Sequence, residues 1–205
     1  MPRRRQQPKN SVHRKPFTII TIMADSIQKE VHILAAVDIG SNAARMLIKR
    51  VVVTPAGVRM KKLQFLRIPL RLGMDVFTTG RIGEEREEML LRTMKIFRHL
   101  LVLYNVEYCL IYAISAFRDA SNGAKILNDI KKKTKMEIQI ISGEEEARII
   151  HDDFHAPGNL IHMDVGGGST ELSLVCDGTL IRSTSINVGT IRLLKGLVTP
   201  DNGRI

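Results

Sequence analysis

An apolar run at residues 31–38 opens the regular part of the chain and ends in Asp-Ile-Gly-Ser-Asn. An apolar run that stops at such residues predicts a buried strand followed by a tight turn. Residues 45–53 are β-branched and apolar, residues 54–57 supply turn formers, and residues 58–70 alternate loosely between apolar and polar positions. The pattern therefore predicts three consecutive antiparallel strands.

Strand and helix patterns alternate in the middle of the chain. A long helix over about residues 84–104 is predicted from an apolar stripe at helical spacing, formed by Leu90, Met94, Phe97 and Leu101 and widened by Met89, Ile96 and Leu100. Four further elements are predicted: a strand at 106–115, a helix near 124–135, a strand at 136–142, and a helix from the capping residue Ser142 to about Phe154. This alternation is typical of an α/β architecture.

The opening pattern returns near residue 160. The apolar residues 160–165 lead into Asp-Val-Gly-Gly-Gly-Ser-Thr, two strand-like runs follow, and a helix begins in TIRLLKG. The same strand and turn thus recur at Asp38 and Asp164, which predicts two related domains that face each other. We assign residues 1–30 to a basic, disordered extension, residues 31–156 to a first domain, and residues 157–205 to the beginning of a second, incomplete domain.

Composition restricts the classes of function. The chain has 205 residues and a formal net charge of +10, but six Lys and Arg residues lie in residues 1–16, before any acidic residue. The remaining charge of +4 suits an anionic substrate, and an aromatic content of 4% argues against a surface that stacks on nucleic-acid bases. Cys109 and Cys176 lie in apolar strand patterns, which favours a reducing, cytoplasmic location. No apolar run is long enough for a membrane span.

The two glycine-rich turns carry the candidate chemistry. A turn rich in glycine between two strands exposes consecutive backbone N–H groups, and the missing side chains let phosphate oxygens approach them. Asp38 and Asp164 stand at the mouths of these turns, where each carboxylate could orient a metal-bound or an attacking water molecule. A single Asp-Ile-Gly-Ser-Asn sequence is equally compatible with an ordinary turn, but three consecutive glycines at 166–168 indicate close approach to the backbone.

Four segments in order resemble the signatures of the Ppx/GppA phosphatase family: DIGSN at 38–42, AISAFRDASN at 113–122, ISGEEEAR at 141–148 and DVGGGSTE at 164–171. The resemblance covers about residues 33–197. It implies an actin-like, Hsp70-like fold of the ribonuclease H type, with a first domain, a truncated second domain and an active site in the cleft between them. It also implies hydrolysis of terminal phosphoanhydrides of inorganic polyphosphate or guanosine pentaphosphate, as in the stringent response, with magnesium or a similar divalent ion.

The same resemblance implies roles for individual residues. Glu146 matches the catalytic base, Asp164 and Glu171 match the acids associated with magnesium, and Arg118 matches a phosphate-contacting arginine. The residues that would hold phosphate through the two turns are Gly40, Ser41, Asn42, Gly166, Gly167, Gly168 and Ser169. Without the resemblance, Glu146 would be taken for a solvated acid at a helix start, and Arg118 for a surface arginine paired with Asp119 or another acid.

Two departures from the family pattern bear on function. Ala43 and Ala44 stand where many relatives carry a hydroxyl side chain, and the family pattern continues well beyond residue 205. Because the family pattern continues further, we expect the isolated chain to have little or no hydrolase activity. We also expect the full-length protein to be a homodimer. Two alternatives stay open: a truncated, non-catalytic module that binds polyphosphate or guanosine tetra- and pentaphosphate, and an actin-like kinase or ATPase. His151, His155 and His162 lack the spacing of a metal site.

Overall fold

A computed structural model describes residues 30–152 and 158–198, apart from the side chain of residue 152. It contains eight strands and six helices over these ranges. The strands are β1 (Glu30–Ile39), β2 (Ala43–Thr54), β3 (Gly57–Pro69), β4 (Tyr108–Ala113), β5 (Gln139–Ile140), β6 (Asn159–Val165), β7 (Thr170–Cys176) and β8 (Thr179–Ile186). The helices are α1 (Gly73–Thr79), α2 (Glu84–Leu103), α3 (Ser115–Asp119), α4 (Gly123–Thr134), α5 (Gly143–Asp152) and α6 (Thr190–Leu194).

The first sheet has five strands in the order β3, β2, β1, β4, β5. The three predicted antiparallel strands are confirmed, since β1 pairs antiparallel with β2 and β2 with β3. β4 then joins the other edge of β1 in parallel, with Asp38 beside Tyr112. This parallel pairing brings the carboxyl ends of β1 and β4 together at one edge of the sheet, where the first glycine-rich turn and α3 begin.

The hydrophobic core lies between this sheet and its helices, and α2 contributes four buried residues to it. Leu90, Met94, Phe97 and Leu101 are buried, as the helical stripe predicts. The predicted widening of that stripe is wrong for two residues, because Met89 and Ile96 are 40% and 47% exposed. Leu100, the third residue of the predicted widening, is partly buried and packs against the core. The predicted strand at 136–142 is also shorter, and only Gln139–Ile140 pairs with β4.

At the end of the first sheet opposite the first glycine-rich turn, one carboxylate just before β4 holds β4 beside β1. Glu107 lies just before β4, and its side chain accepts a hydrogen bond from the Ile33 N–H (3.1 Å) while contacting Nδ1 of His32 at 2.7 Å. The hydrogen bond to Glu107 raises the pKa of His32 above its ordinary value, with a smaller contribution from Glu30, although partial desolvation opposes the change.

The second sheet repeats the first three strands of the first. β6, β7 and β8 form an antiparallel meander in which Asp164 lies opposite Glu171. The predicted recurrence of strand, turn and two further strands is therefore confirmed, and with it the predicted α/β architecture. Ile161, Met163 and Val165 alternate along β6 on one face and are 71%, 60% and 51% exposed.

α5 crosses from the first sheet to the second. It begins three residues after the end of β5, at Gly143, but packs on β8 and β7. A Cβ atom at Gly143 would lie 2.3 Å from Cβ of Ser185, so glycine is required for this close approach. Ser142 Oγ accepts a hydrogen bond from the Glu145 N–H (3.1 Å), which confirms the predicted cap. None of the helices in the described ranges has the length and apolar character needed to cross a membrane.

The domain boundaries proposed above stay a prediction. The predicted extension falls almost entirely on residues 1–29, which lie outside the described residues, as do the last residues of the predicted helix that ends near Phe154.

Candidate functional site

The first glycine-rich turn joins β1 to β2 and is fastened to the start of α1. The Gly40 N–H donates to Ala43 O across the turn (3.0 Å), and the carbonyl of Ser41 accepts from the Gly73 N–H (2.8 Å). Ser41 is buried, and its hydroxyl lies 2.5 Å from that of Ser115 at the start of α3. Asn42 is exposed. Two short helices, α1 and α3, therefore contact the buried side of the turn, and the turn is exposed at Asn42.

The second glycine-rich turn repeats these hydrogen bonds. The Gly166 N–H donates to Ser169 O (2.9 Å), and the carbonyl of Gly167 accepts from the Ile191 N–H of α6 (2.9 Å). Gly167 and Ser41 occupy matching places after Asp164 and Asp38, so the repeat extends from strand order to individual backbone contacts. Such equivalence indicates that both turns present their backbone amides in the same way.

The two turns pack directly against each other. A Cβ atom at Gly168 would lie 2.3 Å from the ring of Phe77, 2.7 Å from Ser115 Oγ and 2.9 Å from Ser41 Oγ. One at Gly167 would lie 3.1 Å from the Cβ of Ser41. No side chain larger than hydrogen fits at 168 without displacing these neighbours. Contact between the two halves of the molecule therefore explains the glycines at 167 and 168, in addition to any approach by a ligand.

Glu146 projects from α5 beside Arg118. Its side chain is 13% exposed, and Nη1 of Arg118 lies 3.1 Å from one carboxylate oxygen while donating also to Ile141 O (3.0 Å). Burial raises the pKa of Glu146 to about 7, and the negative charges of Glu171 and Asp38 add to that rise, against the opposing effect of Arg118. A carboxyl group with this pKa is half protonated near neutral pH, a property found at acid and base positions of active sites.

Two more acids line the strands that lead into and out of the second turn. Glu171 is buried on β7 and accepts a hydrogen bond from Ser185 Oγ (2.8 Å), whereas its neighbour Asp164 on β6 is exposed. Burial raises the pKa of Asp38 above its ordinary value. The negative charge of Asp164 adds to the rise, and the positive charge of Arg45 opposes it. Negative charges therefore repel between Glu146 and both Glu171 and Asp38, and between Asp38 and Asp164. A cation near these carboxylates would relieve the repulsion.

The carboxylate oxygens of Asp164 and Glu171 are of the type that binds a hard divalent cation such as magnesium. Within residues 30–152 and 158–198, no three His, Cys, Asp or Glu side chains lie close enough together to hold a metal ion. Magnesium is usually bound in proteins by one or two carboxylates, with substrate phosphates and water completing its shell. Asp164 and Glu171 fit that mode. His162 lies on β6, and His155 falls outside the described residues.

The sequence did not reveal which acid pairs with which arginine. Arg118 pairs with Glu146, whereas Asp119 pairs with Arg192 of α6. Nor did it single out Ser115 or Arg192, although both contact the glycine-rich turns. Alignment of the two repeats could have pointed to Arg192, since it belongs to the helix that matches α1. Ala43 and Ala44 are buried in β2, where the family's hydroxyl residue would stand.

The chain is similar to a group of characterised and solved proteins. The model of the Ppx/GppA phosphatase family matches residues 51–203. Exopolyphosphatase 1 of Mycobacterium tuberculosis is 27% identical over 173 residues, which are 82% of this chain and 49% of that protein. The bifunctional 3-dehydroquinate synthase/phosphatase of Fusobacterium nucleatum is 31% identical over 168 residues, which are 78% of this chain and 25% of that protein.

Solved structures give the same result. The exopolyphosphatase from Cytophaga hutchinsonii superimposes with a TM-score of 0.73 at 26% identity, covering 80% of this chain and 53% of that one. The Aquifex aeolicus member of the Ppx/GppA family gives a TM-score of 0.69 at 25% identity, over 81% of this chain and 54% of that one. The chain therefore spans about half the length of the exopolyphosphatases that it matches.

Proposed function

The chain belongs to the Ppx/GppA phosphatase family, and from that premise we propose that the protein containing it releases terminal phosphate from inorganic polyphosphate or guanosine pentaphosphate. The observation that carries the proposal is the environment of Glu146 and the raised pKa that results from it. This carboxylate is buried beside Arg118, has a pKa of about 7, and lies within electrostatic range of Asp38 and Glu171, which flank the two turns.

In the proposed reaction Glu146 accepts a proton from a water molecule while the water oxygen attacks the terminal phosphorus. The bond from that phosphorus to the bridging oxygen breaks, and its electron pair leaves with the shortened phosphate chain. The products are inorganic phosphate and a chain one unit shorter, and the proton on Glu146 returns to solvent. A carboxylate with a pKa near 7 is a stronger base than an ordinary glutamate, and a large fraction of it is still ionised at neutral pH.

The two turns would hold the terminal phosphates. The amides of Gly166, Gly167, Gly168 and Ser169 on one side, and of Gly40, Ser41 and Asn42 on the other, are the proposed donors. Arg118 would supply a planar cation suited to phosphate oxygens. Its Nη1 donates to both Ile141 O and Glu146, which holds the guanidinium beside the proposed base, so one arginine could orient both the base and the phosphate.

Asp164 and Glu171 are the proposed magnesium ligands. When bound, the cation would neutralise charge on the phosphate oxygens. The exposed Asp164 is available to solvent, and the buried Glu171 is held by Ser185. The full-length protein is proposed to be a cytoplasmic homodimer.

Binding without turnover is a second proposal for the 205-residue chain by itself. Both glycine-rich turns and Glu146 are within the described residues, but the chain spans only about half of its exopolyphosphatase relatives. We expect it to bind phosphate chains and to release little phosphate. Efficient hydrolysis of long-chain polyphosphate by the purified 205-residue chain would contradict this expectation. A kinase or ATPase is the remaining alternative, and nucleotide-independent hydrolysis of polyphosphate would argue against it.

The test is steady-state phosphate release from polyphosphate and from guanosine pentaphosphate, with a magnesium titration, by the whole translated protein that contains this chain. Glu146→Gln should abolish turnover and keep substrate affinity, because the amide preserves shape but cannot accept the proton. Asp164→Asn should shift the magnesium requirement upward. Glu144→Gln is the matched control, since it removes an exposed carboxylate from the same helical turn and should retain near-normal rates.

Equal loss of activity in the variants at 144 and 146 would mean that the acidic run acts as collective charge. Substantial turnover in Glu146→Gln would remove this residue from the role of base. In both cases the phosphate-binding part of the proposal would still stand.

A further inference from the structure

Arg192 makes three contacts that together span the two halves of the molecule. Its Nε donates to the carbonyl of Gly168 (2.6 Å), and its Nη2 donates to the carboxylate of Asp119 on α3. The guanidinium carbon lies 4.0 Å from the ring centroid of Phe77 on α1. The side chain is only 13% exposed. One cation on α6 therefore contacts the second glycine-rich turn, the helix that carries Arg118, and the helix that fastens the first turn.

These contacts are geometrically linked rather than independent. A guanidinium is planar and presents its N–H groups in fixed directions, so a bond from Nε to Gly168 determines where Nη2 can reach. Stacking on Phe77 fixes the plane itself. The ring of Phe77 is in turn pressed against the turn, because a Cβ atom at Gly168 would lie 2.3 Å from it. Lysine keeps the charge but has neither the plane nor the fork, so it could not hold all three contacts in this fixed geometry.

The bond to Gly168 also orients the peptide that follows it. In a trans peptide the C=O and the next N–H point in opposite directions. Holding the Gly168 carbonyl toward Arg192 therefore directs the Ser169 N–H away from it. The same arginine is anchored through Asp119, the immediate neighbour of Arg118. Movement of the turn relative to α3 would require this anchor to break.

We propose that Arg192 is a positioning residue that clamps the second glycine-rich turn to α3 and so fixes the distance between that turn and Arg118. The clamp sets the geometry in which the two halves of the site face each other, and it contacts no reacting atom itself.

Amide hydrogen exchange of the full 205-residue chain tests the clamp without any need for activity. The reporting amides are those of Thr190 and Ile191, which donate to Gly166 and Gly167. The Glu107 amide, which donates to Ile33 O at the far end of the first sheet, is the internal reference. Arg192→Gln should accelerate exchange at the reporting amides by about tenfold, the effect of losing one charge-assisted hydrogen bond, and should leave the reference unchanged.

Three further variants make the result specific. Arg192→Lys should give an intermediate rate, because the charge remains while the fork is lost. Adding Asp119→Asn to Arg192→Gln should give no further acceleration, because the two residues form one contact. Arg92→Gln is the matched control: it removes an arginine from an ion pair with Glu88 that lies exposed on α2, and should leave all of these amides unchanged.

Reporting amides that exchange in Arg192→Gln at the wild-type rate would overturn the proposal, and so would additive effects of the two substitutions. If the reference amide also exchanges faster, Arg192→Gln has lost the whole fold, and the milder variants Arg192→Lys and Asp119→Asn decide. Faster exchange at the reporting amides with an unchanged reference then supports the proposal, and wild-type exchange in both variants overturns it.

A kinetic readout in the whole translated protein rests on the proposed function. There Arg192→Gln should lower kcat/KM for tripolyphosphate and leave the pH midpoint set by Glu146 in place. A whole protein without any hydrolase activity would refute the proposed function, whereas the exchange experiment would still decide the clamp.

Discussion

Replacing Glu146 by glutamine should make the folded chain more stable above pH 7 than the unsubstituted chain. The carboxylate is buried close to Glu171 and Asp38, and it is these surroundings that raise its pKa to about 7. Once ionised, it contributes a charge that the folded protein accommodates less well than water does. Glutamine keeps an oxygen to accept the hydrogen bond from Arg118 and carries no charge.

The size and the pH range of the effect follow from proton linkage. In the unfolded chain the group titrates near its ordinary value of 4.5. Between that value and about 7 the folded state binds more protons than the unfolded state, so the stability of the unsubstituted chain falls as pH rises. The fall is complete above pH 7 and amounts to at most about 3 kcal/mol. Burying the glutamine amide offsets part of this, so a net gain of about 1–3 kcal/mol is expected at pH 8.

Urea unfolding followed by circular dichroism between pH 4.5 and 8.5 measures the difference. Groups that titrate in both proteins, such as His32, cancel when the variant is compared with the unsubstituted chain at each pH. Glu144→Gln, on the same turn of α5 but exposed, should run parallel to the unsubstituted chain. A difference for Glu146→Gln that is the same at pH 5 and pH 8 would refute the reasoning, since Glu146 would then not titrate near neutrality.

Three other outcomes are expected. Gly168→Ala should destabilise the chain by about 1–3 kcal/mol, whereas Gly40→Ala, whose added Cβ atom would lie no closer than 3.4 Å to its neighbours, should have a much smaller effect; thermal unfolding compares them, and equal melting temperatures would contradict the packing of the two turns. Phe97→Ala should cost about 3–5 kcal/mol because the ring is fully buried, against less than about 0.5 kcal/mol for the exposed Ile96→Ala; similar urea midpoints would show that the central stripe of α2 is misassigned. His32→Gln should lower stability below pH 6.5, where the imidazolium pairs with its carboxylate partner, and the loss should vanish as pH rises through the raised pKa of His32; a loss that persists at pH 9 would show that charge is not its cause.

The regular parts of the fold could be predicted because they follow from local periodicity. The stripe of α2 and the recurrence of strand and turn at Asp38 and Asp164 are visible within short windows of sequence. The five-residue helix Ser115–Asp119 could not be found this way, since it is too short to show a helical period. Most of β5 was overpredicted because an apolar alternation at 136–142 does not reveal whether a partner strand runs alongside it.

The candidate site was only partly predictable for a similar reason. The motifs identify the residues on each glycine-rich turn. Contacts between segments that are distant in the sequence depend on how the two halves of the molecule pack together. The pairing of Arg118 with Glu146 and of Asp119 with Arg192 depends on the placement of α5 and α6, which no local pattern specifies. The roles assigned to Glu146 and to the turn residues stay predictions until activity is measured.

The parallel pairing of β1 with β4 has a consequence for synthesis of the chain on the ribosome. Leu34 pairs with Tyr108, about 74 residues later, and at about 5–20 residues per second β1 waits between ~4 and 15 s for its neighbour to be made. β2 and the strands of the second sheet find their partners within one hairpin, which forms in microseconds. During the wait β1 presents an unpaired apolar edge to other nascent chains. The step most exposed to misassembly therefore lies in the first sheet.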